Sequence, residues 1–123
     1  MASAKSIVGQ IGEQAACDFL YKKGYNILQR NYRVPGGEID IIVRDKGEII
    51  FVEVKARSST IYGHPEESVH FVKQKKMARA IRSYLLRYTS DPPFRIDIIA
   101  VIISMNKVQQ VHHIPNIFFE FEI

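Results

Sequence analysis

The chain holds 123 residues, 46% hydrophobic and 24% charged, and its 17 lysines and arginines against 13 acids leave a formal charge of +4. That length accommodates one hydrophobic core, so a single domain over residues 1–123 is expected, and the composition excludes coiled-coil, collagen-like and disordered classes. The mild basic excess permits a nucleic-acid partner without requiring one.

Cys17 is the only cysteine. An internal disulfide is therefore impossible, and packing on the first helix is a better expectation for Cys17 than a zinc site. The first six residues lack the apolar run of a secretory signal, and no stretch reaches membrane-spanning length. A cytoplasmic location with no membrane partner is the expectation.

In chain order, residues 5–23 read as a helix, with Ile7, Ile11, Ala15 and Phe19 on one stripe, Ala16 and Leu20 widening it, and Gly24 ending it. Residues 25–33 read as a strand, followed by a turn at Pro35-Gly36-Gly37. Residues 38–57 form a hairpin in which Lys46-Gly47 is the two-residue loop. A loop is expected over residues 58–63, then a second helix opening at Pro65-Glu66-Glu67 and running to about Tyr88. Val69, Val72, Ala80, Tyr84 and Tyr88 define its buried side. Residues 94–103 are almost unbroken apolar sequence, as in a strand buried on both faces, and residues 107–114 add a last strand. The tail beyond Pro115 carries Phe118, Phe119 and Phe121.

The hairpin holds the chemistry. Side chains alternate along a strand, so Glu38 and Asp40 share a face with Ile42, while Ile39, Ile41 and Val43 take the other. Glu53 and Lys55 share a side on the return strand, and the turn sets Asp40 across from Glu53, Glu38 across from Lys55 and Ile42 across from Phe51. Facing carboxylates repel, which disfavours a merely solvated surface. A hard cation, Mg²⁺ or Mn²⁺, held by these oxygens with Lys55 beside them is the economical account.

Other positions leave alternatives open. Glu13 lies at the margin of the first helix's stripe, where it either reaches the acidic cluster or stays exposed. Lys73 and Lys76 fall within the second helix's apolar stripe, where they either snorkel outward or line a cleft and meet phosphate. Lys75, Arg79, Arg82 and Arg87 make a basic face suited to a phosphate backbone or to solvent alone. Arg95 and Asp97, two apart on one strand face, read as a structural ion pair. His64, His70, His112 and His113 lack metal-ligand spacing, and neither a phosphate-binding glycine loop nor a nucleophile elbow is present.

The order helix, three strands, helix, strand, with Asp40 followed by Glu53-Val54-Lys55, resembles the PD-(D/E)XK nuclease superfamily. More closely, the chain resembles the YraN-like family of small bacterial proteins, related to Holliday-junction resolvases. The matching segments are Gly9 to Ala16, Asn31-Tyr32-Arg33, Gly37 to Ile42, Phe51 to Arg57, Lys73-Gln74 and Arg95-Ile96-Asp97. The triplet Glu53-Val54-Lys55 is a weak signal alone, but the set in this order is specific.

The resemblance implies an α/β fold with an αβββαβ core, its mixed sheet flanked by helices, and here an extra C-terminal strand. It implies an Mg²⁺- or Mn²⁺-dependent endonuclease acting on DNA, branched DNA included. Asp40 and Glu53 would bind the metal, Lys55 would orient or activate the attacking water, and Glu13 would be an auxiliary acid. Lys73 or Gln74 would face the substrate phosphate, and Lys76 and Arg57 are further candidates for substrate binding beside them. The superfamily's proline before the first acid is replaced by Ile39. Two rivals stand beside this reading: a non-catalytic nucleic-acid-binding module on the same fold, and an interaction domain that dimerises through its aromatic tail.

Overall fold

The computed structural model describes residues 5–58, 71–119 and 123. Helix α1 (Ile7–Lys22) leads into strands β1 (Asn26–Val34), β2 (Gly37–Asp45) and β3 (Glu48–Arg57), then helix α2 (Phe71–Leu85) and strands β4 (Phe94–Ser104) and β5 (Lys107–Ile114). The strands form one sheet in the order β1-β2-β3-β4-β5, with β3 and β4 parallel and every other pair antiparallel. This is the expected mixed sheet with an added C-terminal strand. The helix start expected at Pro65 and most of the 58–63 loop lie outside the described residues, as do Val69, His64, His70 and Phe121.

Burial on both faces of the sheet generates three layers. Ile39, Ile42, Phe51, Ile96 and Ile98 meet Met77, Ile81 and Tyr84 of α2. On the opposite face Ile41, Val43, Ile50, Val52, Ile99 and Val101 meet Ala16, Cys17 and Leu20 of α1. β4 contributes to both clusters, as its apolar run predicts, and Cys17 is core.

Both helices keep most of their expected faces, with Ala16, Leu20, Ala80 and Tyr84 buried, and depart from them at particular residues. In α1 the buried residues are Gly12, Glu13, Ala16, Cys17 and Leu20, whereas Ile7 is 66% exposed. Small residues let this helix approach the sheet closely, so Gly12, Ala16 and Cys17 lie at the centre of the contact while Ile11, Ala15 and Phe19 pack at its margin. In α2 the buried set is Gln74, Met77, Ala78, Ala80, Ile81 and Tyr84; Val72 is 66% exposed and Lys76 faces solvent. The expectation that Val72 and Lys76 lie on the inner stripe is thus corrected. The tail splits in character, with Phe119 packed against the α2-side core and Phe118 exposed.

The β2–β3 turn forms as expected. Lys46 and Gly47 both take positive φ, 51° and 83°, the conformation a tight hairpin needs, and Ile42 pairs with Phe51.

Candidate functional site

The ladder between β2 and β3 ends at Ile41↔Val52, one residue short of Asp40 and Glu53. There the Val54 backbone N–H donates to Asp40 Oδ2 at 2.8 Å, so a carboxylate takes the place of a strand carbonyl. The pairing of β1 with β2 skips the same position, running from Arg30↔Ile41 to Tyr32↔Ile39. Asn31, opposite Asp40, has φ 51°. Strict alternation consequently fails at Asp40: Ile39 packs on the α2 side with Ile42 instead of sharing the α1 side with Ile41. The sheet opens at this point, and the opening holds the acids.

Three of them are buried, Glu13 at 2% exposure and Asp40 and Glu53 at 7% each. Glu13, expected at a helix margin, sits at the centre of α1's buried face. Its Oε1 accepts from Asn31 Nδ2 at 2.7 Å and pairs with Arg30 Nη2 at 3.5 Å. The Lys5 ammonium bridges Glu13 Oε2 and Asp40 Oδ1, lying 3.1 Å from the latter. Burial works against the Lys5 charge, but Glu13 and Asp40 together outweigh it and hold the ammonium above the ordinary lysine pKa. Ser6 caps α1, accepting from the Gly9 N–H at 3.0 Å, and this fixes the turn from which Lys5 reaches inward. A cavity of about 210 Å³ opens here, lined by Lys5, Gly9, Glu13, Asp40 and Glu53 among others.

Glu53 is the most perturbed acid. Burial, the adjacent negative charge of Asp40 and a hydrogen bond donated by its protonated form to Asp40 push its pKa up to about 8, with Lys73 opposing. Its Oε2 has no hydrogen-bond partner, and Lys73 Nζ stands 3.5 Å away. Lys73 bonds instead to Glu38 Oε1 at 3.0 Å, and this bond holds the Glu38 carboxyl below the usual range. The second helix thus sends Lys73, but not Lys76, into the acidic cluster.

Glu38 does not pair with Lys55. The Lys55 backbone is level with Ala100 of β4, and its ammonium is half-buried, with no ion pair to another described residue. Burial lowers its pKa, as does Arg57 nearby, against a smaller pull from Glu53. Gln74 is buried and Arg57 exposed. The structure therefore gathers Glu13, Asp40, Glu53 and Lys73 and leaves Lys55 and Arg57 further along β3. Sequence reasoning missed Lys5 and Asn31. An asparagine within a strand, where its propensity is poor, was the available signal for Asn31; Lys5 had none.

The hard cation implied by the family resemblance fits this pair. Mg²⁺ takes one or two carboxylates and keeps several waters. Asp40 and Glu53 offer two buried carboxyl groups, one with an oxygen that has no hydrogen bond and a pKa forced up by burial and by the neighbouring acid. Among the described residues no group of three or more His, Cys, Asp or Glu forms a protein cage.

A second polar cluster lies near the start of β4. Asp97, fully buried, accepts from Arg95 Nε at 3.0 Å, from His113 Nε2 at 2.7 Å and from the Asn116 N–H at 2.8 Å. This is the ion pair expected from the sequence, enlarged into a clasp that ties the segment after β5 to the sheet. Among the described residues, no helix is long and apolar enough to cross a membrane.

Comparison with known proteins shows the family. Residues 12–101, which include Glu13, Asp40 and Glu53, match the family described as Uncharacterised protein family UPF0102. The chain is 40% identical over 116 residues to a UPF0102 protein of Thermodesulfovibrio yellowstonii, covering 94% of this chain and 99% of that one. A Chlorobium phaeobacteroides relative is 45% identical over 117 residues, covering 90% and 93%, and one from Symbiobacterium thermophilum is 48% identical over 95 residues, covering 76% and 80%. On that extent of identity, the chain belongs to UPF0102, the YraN-like family.

Proposed function

We propose that this protein is a metal-dependent phosphodiester hydrolase, an endonuclease acting on DNA and suited to branched DNA, within one domain spanning residues 1–123. The observation that carries the reading is the placement of Asp40 and Glu53 side by side where the sheet opens, one of them holding a buried oxygen without a hydrogen bond. Asp40 and Glu53 would hold Mg²⁺ or Mn²⁺. When bound, such an ion polarises a phosphoryl oxygen and acidifies a coordinated water.

The protein's own groups do the rest. Glu13, fixed by Asn31 and Arg30, supplies further negative charge at the same opening. Lys55, half-buried with no ion pair among the described residues, keeps an ammonium available for charge that develops on the phosphate. Lys73 lies between the acids and the exposed Lys75, Lys76, Arg79 and Arg82 of α2. With Arg57 they make a basic approach for a phosphate backbone, bound without regard to sequence and weakened by salt.

Labelled linear, single-stranded and four-way-junction DNA, incubated with Mg²⁺, Mn²⁺ or EDTA, test the reading. Cleavage is expected with either metal and absent with EDTA, Asp40→Asn or Glu53→Gln. Lys55→Ala should lower the rate roughly 100-fold. Cleavage that survives in Asp40→Asn at the wild-type rate rejects the assignment.

A second reading, a nucleic-acid binder without catalysis, is favoured by one observation: Lys5 and Lys73 already neutralise part of the acidic cluster from within. It predicts salt-sensitive binding indifferent to Mg²⁺ and to Asp40→Asn. A homodimer remains part of the proposal for two-fold junctions, with Phe118, 84% exposed, as its apolar contact.

A further inference from the structure

Lys5 stands outside α1, one residue before the Ser6 cap, yet its side chain turns back to lie between carboxylates contributed by α1 and β2. The backbone there is held: Lys5 O accepts from Gln10 Nε2 at 2.9 Å, and Ser6 binds the Gly9 N–H. A position shared by one oxygen of Glu13 and one of Asp40 is where a cation common to both acids would lie. The ammonium brings a single charge to it. Glu53, beside Asp40, has a buried oxygen without a hydrogen bond, its nearest cation among the described residues being Lys73 Nζ at 3.5 Å. A side chain that is 28% exposed can also leave without disturbing the core.

We propose that Lys5 is an internal counter-ion that holds the carboxylate site in the metal-free protein and must be displaced for a divalent cation to bind, so that this lysine sets the metal affinity. The inference rests on the metal reading above. A divalent ion offers Asp40 and Glu53 more charge than the ammonium does, and it needs oxygen ligands of which the ammonium now occupies one, Asp40 Oδ1. Displacement costs the two lysine ion pairs. The observed metal affinity is therefore the intrinsic affinity reduced by the fraction of molecules in which Lys5 is out.

Two measurements on the full-length protein test this. Titration with MnCl₂ alone, followed by the electron paramagnetic resonance of free Mn²⁺, compares wild type with Lys5→Met and Lys5→Gln. If Lys5 holds the site nine-tenths of the time, either variant should bind Mn²⁺ about tenfold more tightly. Acetylation of Lys5 in the wild-type protein, read by mass spectrometry, needs no variant. It should be slow without metal and rise on addition of MnCl₂, while the already exposed Lys75 is acetylated at one rate throughout. Equal or weaker Mn²⁺ binding by both variants, or Lys5 acetylation that does not respond to Mn²⁺, overturns the role of Lys5 alone. Failure of wild type and variants alike to bind Mn²⁺ overturns the metal reading and this inference together.

Discussion

At the scale of single residues, Asn31 carries two duties that no other side chain could combine. Its φ of 51° places it in the left-handed region, which costs an ordinary L-residue roughly 1–2 kcal/mol and which asparagine tolerates better. Its Nδ2 donates to Glu13 Oε1 at 2.7 Å, giving a buried carboxylate one of the donors it needs. Asn31→Ala should therefore lose about 2 kcal/mol of stability, from the strained backbone and the broken hydrogen bond together. Asn31→Gly restores the backbone freedom and should recover about half of that. Because Glu13 loses its orienting donor in both variants, Mn²⁺ affinity should fall roughly tenfold in both. Urea unfolding of the two variants, with Mn²⁺ titration, separates the contributions; equal stability losses would show that the backbone conformation costs nothing here.

At the scale of elements, the site depends on how closely α1 lies on β3. A Cβ added at Gly12 would stand 2.6 Å from the Ala56 Cβ, nearer than real side chains approach, and Glu13 is the next residue. Gly12→Ala should push the helix outward, costing roughly 1–3 kcal/mol and withdrawing Glu13 from Asp40. Ala56→Gly removes the atom it meets, so the double variant should regain most of the loss in thermal unfolding. Additive losses would place the strain elsewhere. The same contact explains what the sequence disclosed and what it hid. The hairpin register was legible because a strand has only two faces and Lys46-Gly47 is a tight turn; the apolar run of β4 and the limits of β5 followed from similar local rules. The phase of α1 was legible only in part: Ala16, Cys17 and Leu20 were expected to pack and do, but Gly12 and Glu13 at the centre of the contact give no apolar signal beside Ile7, although small residues are what allow close approach. The break in alternation at Asp40 escaped because it arises across strands, from Asn31 on one side and Val54 on the other. Lys5 meets Asp40 across 35 positions of sequence, and no local pattern encodes such a contact.

For the whole molecule, the two polar clusters bind protons in opposite senses, and together they set how stability varies with pH. Glu53, pushed up to about 8 by burial and by Asp40, holds a proton in the folded protein that the unfolded chain releases at ordinary carboxylate pH. The unfolded chain thus binds fewer protons between about pH 4.5 and 8, and stability must fall as pH rises through that window. Asp97 behaves conversely. Although burial opposes its charge, the bonds from His113, Arg95 and the Asn116 N–H together depress its pKa, and Lys73 likewise depresses that of Glu38. Stability from these two is fully present above the unfolded carboxylate range and is lost as pH falls through their lowered values. The metal-free protein should accordingly be most stable in mildly acidic solution and lose Tm toward pH 8, by roughly 4 °C for each kcal/mol. Glu53→Gln should flatten the alkaline limb and leave the acid limb unchanged. Saturating MgCl₂ should flatten the same limb in the wild-type protein, since a bound cation replaces the proton as the charge that Glu53 lacks. Tm profiles recorded across this range for both proteins decide the matter: an alkaline decline that persists in Glu53→Gln would assign it to another group and remove the evidence that this carboxyl group holds a proton in the folded protein.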